Sequence, residues 1–136
     1  MKLIAVGGFF HDLNFSYLDT EIQGSLIAVE EERFSRVKSH KISDPNVSTD
    51  FLGLKYIEQV KNISLVQVSK LIISDSVPPQ CMGTLSGLMP NADIIFIGHH
   101  ISHAYNVICT NKVSSKSAVL VLDGYGDNLS GISGHW

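Results

Sequence analysis

The order of its short apolar runs constrains the fold of this chain more than any other feature. The run 2–8 consists of small and branched residues and ends in two glycines, which is typical of a buried strand. The runs 14–18 and 25–29 flank a polar loop that ends in Gly24, and this pattern predicts a β-hairpin. The first three strands are therefore predicted to form a meander.

Further along the chain, predicted helices and strands alternate. Helical spacing of apolar residues predicts helices over 50–63, 64–70 and 99–110. Strands are predicted over 71–74, 93–98, 117–123 and, after a turn, 128–136. Asp50 is in a position to cap the first of these helices. The stretch 77–90 is rich in proline and glycine, and we expect an irregular surface excursion there.

This order of elements indicates an α/β fold with a mixed sheet flanked by helices. It suits one lobe of the ribonuclease-H-like fold that sugar kinases, actin and Hsp70-type ATPases share, an analogy of fold that says little about chemistry. At 136 residues, the chain has the length of a single domain, and we predict one domain over 1–136.

The composition excludes several classes of protein. With 44% apolar and 17% charged residues, the chain is not disordered. A net charge of −3 gives no electrostatic case for nucleic acid, and no apolar run is long enough to span a membrane. The N-terminus lacks the pattern of a signal peptide, so we expect a cytoplasmic protein. Cys81 and Cys109 lack the spacing of a metal or redox motif and are predicted to be buried, reduced thiols.

A histidine cluster directs the search for a functional site. Half of the six histidines lie within residues 99–103, directly after an apolar run. In a helix, His99 and His103 share one face, with Cβ atoms about 6 Å apart, and the next predicted strand delivers Asp123. Two imidazoles and one carboxylate suit zinc or iron(II). The alternative is an ordinary helix start with His100 exposed and His103 hydrogen-bonded, and the residues alone leave both interpretations open.

Two further segments carry reactive side chains. GGFFHD ends the first strand, where open α/β sheets place their ligands, so His11 is a candidate general base oriented by Asp12. The alternative is a tight turn with a solvated pair. In EEERFSRVK, one of the bases Arg33, Arg36 and Lys38 is a candidate contact for a phosphate or carbamoyl oxygen. The alternative is a solvated charged turn.

The segment DGYGD, residues 123–127, is predicted to be a hairpin turn. Its backbone N–H groups could also cradle a phosphate, with Asp123 facing a metal ion. The two interpretations are compatible, because such a loop is itself a turn.

Together, GGFFHD, EEERFSRVK, HHISHA and LVLDGYGD resemble the nodulation-protein/antibiotic O-carbamoyltransferase family in order and spacing. The last two motifs are also similar to those of tRNA-threonylcarbamoyl transferases. The resemblance implies an actin-like ATPase fold and transfer of a carbamoyl group from carbamoyl phosphate, by way of carbamoyl-adenylate, to a hydroxyl of a small molecule, with ATP and a divalent metal, iron or zinc.

By the same resemblance, site residues carry over motif by motif. The implied metal ligands are His99, His103 and Asp123, and the implied catalytic residues near the carbamoyl group are His11 and Lys38. The implied nucleotide-binding residues are Gly124, Gly126 and Asp127.

The chain departs from the family in two ways. Leu13, Asn14 and Phe15 stand where the family has small residues, which changes the mouth of the pocket. Family members are also far longer and add a second lobe and a domain that makes the carbamoyl-adenylate. We therefore expect an N-terminal lobe that is inactive alone, needs the missing C-terminal lobe in cis or in trans, and associates with itself.

Two other functions compete with this one. A non-catalytic metal- or nucleotide-binding regulatory module derived from the family would keep the metal site without the activity. A phosphotransferase of the sugar-kinase type is less favoured, because the histidine pair is not a feature of kinases.

Overall fold

The computed structural model describes residues 1–10, 12–40, 42, 50–74, 77–111, 114, 116–126 and 129–135, with the backbone alone for 124–126, 129–130 and 134–135. Contacts within the chain divide it into two compact units, Met1–Phe96 and Ile97–Trp136. The prediction of a single domain stays a prediction.

The first unit is built on a five-stranded mixed sheet. Its strands are β1 (Lys2–Gly7), β2 (Asn14–Asp19), β3 (Ile27–Glu30), β4 (Lys70–Ser74) and β5 (Asp93–Ile97), in the order β3-β2-β1-β4-β5. β1 pairs antiparallel with β2 and β2 antiparallel with β3, so the predicted meander is confirmed. β4 lies parallel to β1. The fold is thus α/β with a mixed sheet, as the order of apolar runs predicts.

One face of this sheet carries the core. Residues that lie opposite each other in the strand register share a face, and Ile4 lies opposite both Tyr17 on β2 and Leu71 on β4. These residues and their same-face neighbours are at most 2% exposed: Ile4, Val6, Phe15, Tyr17, Leu71 and Ile73. Burial alternates along β2 and β4 and over most of β1, although β1 and β4 are apolar at most positions, so the register decides which side chains enter the core.

Helices follow the meander. They are α1 (Glu32–Ser35), α2 (Leu52–Lys61), α3 (Pro79–Leu88) and, in the second unit, α4 (His99–Thr110), with one 3₁₀ turn at Leu65–Gln67. α2 packs on the strands β2 and β3 and buries Leu54 and Ile57. Just before it, the Phe51 ring meets the Phe15 ring edge-on at 5.6 Å between centroids. None of the described helices has the length and apolarity that crossing a membrane requires.

The start of α2 differs from the prediction that Asp50 caps it. The N-cap position belongs to Phe51, whose side chain makes no capping bond. The cap comes instead from Glu31, a buried residue whose two carboxylate oxygens accept the N–H groups of Leu52 and Gly53, each at 2.8 Å. A charged acceptor there satisfies two donors that the helix leaves open and complements the positive helix end.

The prediction of an irregular excursion over 77–90 is wrong, because α3 occupies most of it. A proline in the first turn is compatible with a helix, since its missing N–H would have no partner there. Cys81 and Leu85, one turn apart, are buried in the core. Gly83 and Gly87 face open space. Burial on one face thus overrides the low helix propensity of the glycines.

The second unit contains α4, β6 (Ala118–Gly126) and β7 (Leu129–His135), and α4 lies against β6. β6 and β7 pair antiparallel, with an irregular register between Leu122 and Gly126. The predicted turn over 123–127 is therefore wrong for 123–126, which belong to β6, and Asp127 lies outside the described residues. Cys109 on α4 is exposed, which corrects its prediction as a buried thiol, whereas Cys81 is buried as predicted.

Candidate metal centre

α4 positions two of the predicted ligands. Gly98, in an extended conformation at ψ 145°, precedes the helix, so that the helix starts at His99 and His103 follows one turn later. The two imidazole rings lie edge to face, with centroids 4.7 Å apart and an angle of 82° between their planes. In this arrangement their Nε2 atoms approach to 3.1 Å.

β6 supplies the third predicted ligand. Along this strand Val119, Val121 and Asp123 alternate with exposed residues and are partly buried. The Oδ2 atom of Asp123 lies 2.5 Å from Nε2 of His99 and 3.5 Å from Nε2 of His103. The structure therefore brings together His99, His103 and Asp123 as a possible metal-binding group within one unit of the chain.

A single shared proton cannot satisfy every close pair among these three atoms. A proton on Nε2 of His99 can be donated to Asp123, but His99 then has no lone pair on that nitrogen to accept from His103. A proton on Nε2 of His103 can instead be donated to His99, but then the unprotonated nitrogen of His99 faces the carboxylate. Each assignment of one shared proton leaves one close pair unsatisfied. A cation among the three atoms would satisfy all of them.

The spacing of the donors fits a first-row divalent ion. Bonds of about 2.05 Å to nitrogen and oxygen in tetrahedral geometry separate the ligand atoms by about 3.3 Å. The observed separations of 2.5, 3.1 and 3.5 Å bracket this value. The pair His99–Asp123 is at hydrogen-bond distance, so an ion would replace that hydrogen bond and move these two atoms apart by several tenths of an ångström. The donor set of two imidazoles and one carboxylate suits zinc or iron(II).

Access to the cluster is uneven. The side chain of His99 is 17% exposed, that of Asp123 is 32% exposed and that of His103 is 51% exposed. One side of the cluster therefore opens to solvent at His103, as a metal site with an exchangeable position requires.

The competing interpretation, a helix start with His100 exposed and His103 hydrogen-bonded, is wrong for His100, whereas His103 does lie within hydrogen-bond distance of His99. His100 is fully buried, on the same helix face as Ala104, and its ring lies 5.7 Å from that of His99 at a near-perpendicular angle. His103, by contrast, is exposed. The three histidines thus divide into one that anchors the helix and two that share an accessible face.

The other predicted site residues include three that the structure describes and two that lie outside the described residues. Lys38 lies in the first unit, in the exposed turn after α1. Gly124 and Gly126 belong to the backbone of β6. His11 and Asp127 lie outside the described residues.

The acids of EEERFSRVK hold the local structure. Glu30 pairs with Arg33 at 3.0 Å on the surface, Glu31 caps α2, and Glu32 accepts the N–H of Ser39 at 2.9 Å. The pairing of Glu30 with Arg33 agrees with the alternative of a solvated charged turn for that pair. For Glu31, no local signal exists, because its partner Leu52 lies 21 residues away.

Comparisons with known proteins leave the family undetermined. No model of a known protein family matches the chain, and no curated protein matches it either.

Proposed function

We propose that residues 1–136 form the metal-binding N-terminal lobe of an enzyme of the O-carbamoyltransferase type. The single observation that carries this proposal is the convergence of His99, His103 and Asp123, whose donor atoms all lie within 4.8 Å of one another. These are the residues that the resemblance of HHISHA and LVLDGYGD to that family implies as ligands.

The architecture of the first unit supports the same proposal. An antiparallel meander, followed by a helix and by a strand parallel to β1, fits a ribonuclease-H-like lobe of the actin-like ATPase type. Fold alone says little about chemistry, so this observation supports the lobe and not the reaction.

Each residue has a distinct role in this proposal. Nε2 of His99, Nε2 of His103 and Oδ2 of Asp123 hold a divalent metal, zinc or iron. When bound, such an ion supplies Lewis-acid polarisation of a carbonyl or phosphate oxygen. Lys38 offsets negative charge that develops on the carbamoyl oxygen, and His11 accepts the proton of the acceptor hydroxyl. Gly124, Gly126 and Asp127 contact the nucleotide in this proposal, and a second lobe would supply most of the remaining nucleotide contacts.

The metal site is tested by the metal content of the purified chain. We expect one zinc or iron(II) per chain by elemental analysis and calorimetric titration. The double variant His99→Ala, His103→Ala should lose stoichiometric binding, because one carboxylate remains. Cys109→Ser is the matched control, since it removes an exposed thiol on the same helix that could bind zinc adventitiously.

The metal site would be refuted by a double variant that folds, as shown by circular dichroism, and binds as much metal as the unchanged chain.

The transfer reaction is tested separately with labelled carbamoyl phosphate and ATP. The chain alone should give no turnover, and turnover would show that one lobe suffices.

A further inference from the structure

A cavity lies in the first unit, at the C-terminal end of α2 and far along the chain from the histidine cluster. Its volume is about 440 Å³, and residues of β1, β2 and α2 line it together with the loops next to them. The side chains that decide its chemistry are Lys2, Tyr17, Asp19 and Lys61.

Tyr17 contributes its hydroxyl group to the cavity. The residue is 2% exposed, yet it lines the cavity. None of the hydrogen bonds found among the described residues uses this hydroxyl. Burial, and to a lesser degree the charge of Asp19, raise the pKa of Tyr17 above its ordinary value. The hydroxyl therefore stays protonated and can donate a hydrogen bond.

Two lysines give the cavity its charge. Lys2 comes from β1 and Lys61 from the last turn of α2, and within the described part of the chain neither ammonium group forms an ion pair. Both side chains are half-buried. Their partial burial strengthens the attraction for an anion relative to that of fully solvated lysines.

Among the described residues that line the cavity, Asp19 carries the one carboxylate, and its charge is offset by the Met1 amino group and by Lys2. Its Oδ1 atom accepts the N–H of Glu21 at 3.1 Å and lies 3.4 Å from the amino group of Met1. The Met1 amino group also pairs with Glu21 at 2.7 Å. Three ammonium groups, of Met1, Lys2 and Lys61, therefore stand against the carboxylates of Asp19 and Glu21 at and next to the cavity, and the balance of these charges is positive.

We propose that this cavity binds a small molecule through an oxyanion group, a phosphate or a carboxylate. The ammonium groups of Lys2 and Lys61 and the hydroxyl of Tyr17 would hold the anion. Val60 and Ile63, which also line the cavity, would contact a short apolar part of the ligand. This site is independent of the metal centre and of the proposed transfer activity.

The experiment titrates the full chain with sodium phosphate, sodium acetate and sodium chloride at equal ionic strength. Amide resonances of ¹⁵N-labelled protein are followed, and we expect saturable shifts around residues 17 and 61–63 with phosphate or acetate. Chloride should give none. A phosphate affinity at least tenfold above that for acetate would identify a phosphate site, whereas similar affinities would identify a general oxyanion site.

Three variants test the assignment. Lys61→Gln should weaken binding about tenfold and Tyr17→Phe about threefold, and the latter keeps the buried ring in place. Lys55→Gln is the matched control, because Lys55 is exposed on the same helix and does not line the cavity. Unsaturable shifts, shifts equal to those with chloride, or equal affinity in the unchanged chain and the folded variants would overturn the proposal.

Discussion

At the scale of single residues, the carboxylate of Glu31 joins two stretches of chain that are remote in sequence. It is 1% exposed and accepts two backbone N–H groups at the start of α2. Its own N–H donates to the carbonyl of Leu13 at 2.8 Å. Since an unsatisfied buried donor is costly, the helix start depends on this side chain.

We predict that Glu31→Ala lowers the free energy of unfolding by about 2–4 kcal/mol, because two buried donors lose a charged acceptor. Glu31→Gln should cost less, since the amide keeps one acceptor oxygen. Urea denaturation measures both. Glu30→Gln is the control, and it should change stability by about 0–1 kcal/mol, because its pair with Arg33 is on the surface. Equal effects at positions 30 and 31 would contradict the assigned cap.

Asp19 gives the stability of the chain a defined dependence on pH. The N–H of Glu21 holds the pKa of this carboxyl below its ordinary value against the opposing effect of burial, and the amino group of Met1 acts in the same direction as Glu21. The folded state therefore favours the charged form. This contribution is fully present above the pKa of the unfolded chain and is lost as the pH falls through the lower pKa of the folded chain.

We predict that Asp19→Asn reduces the loss of stability below about pH 4, where an unfolded aspartate takes up its proton. The measurement is urea denaturation of both proteins at pH 7, 4 and 3. The stability difference between them should be largest at pH 7 and shrink towards pH 3. A difference that is constant with pH would show that Asp19 does not contribute through its charge.

Residue-level chemistry could be predicted only where local spacing determines it. His99 and His103 lie one helical turn apart, so the sequence predicts their shared face, and the next strand brings Asp123 near. The cap from Glu31 could not be predicted, because the sheet and α2 have to pack before these residues meet. The hydroxyl of Tyr17 likewise becomes part of a cavity only through the strand register.

At the scale of elements, α3 forms a helix although its prolines and glycines have low helix propensity. Three prolines and two glycines over 77–90 predict a loop, but Cys81 and Leu85 need the core face that a helix gives them. The strands, by contrast, follow the pattern of apolar residues closely, and α4 has the predicted bounds. Burial that depends on other elements is the information that local propensity lacks.

Two glycines of α3 can be replaced by alanine with a gain in stability. A Cβ atom at Gly83 or Gly87 meets no atom within 4 Å. We predict that Gly83→Ala raises the free energy of unfolding by about 0.5–1 kcal/mol, because alanine restricts the unfolded chain and favours a helix. Thermal and urea denaturation check this value.

Gly53→Ala on α2 is the matched comparison and should have the opposite sign. A Cβ atom there would lie 2.9 Å from the Phe15 ring and 3.0 Å from the Glu31 carboxylate. We expect a loss of about 1–3 kcal/mol, typical of overpacking in a filled core. If Gly53→Ala raised the free energy of unfolding, α2 would have to lie further from the sheet than these distances indicate.

At the scale of the whole molecule, the outer face of the β6–β7 hairpin leaves apolar surface open. Leu120 and Leu122 are 67% and 77% exposed and lie opposite Ser133 and Gly131 in the register. These small residues flank the leucines and give the face room for a packing partner. Open apolar surface of this kind favours association.

We predict that the chain self-associates in a concentration-dependent manner, as measured by sedimentation velocity. The double variant Leu120→Ser, Leu122→Ser should shift the distribution towards the monomer. Leu26→Ser is the control, because Leu26 is 65% exposed in the other unit. A monomer at all concentrations, or an equal shift with the control, would contradict the role of this face.

The close approach of α2 to the sheet at Gly53 limits which substitutions this position can accept. An added methyl group would meet Phe15, Glu31 and Val29 at distances of 2.9–3.1 Å, so no single neighbour could make room for it alone. A larger residue at position 53 therefore requires smaller residues at several other positions at once. Because the first of these changes lowers the free energy of unfolding until the others follow, the spacing between α2 and the sheet resists substitution one residue at a time.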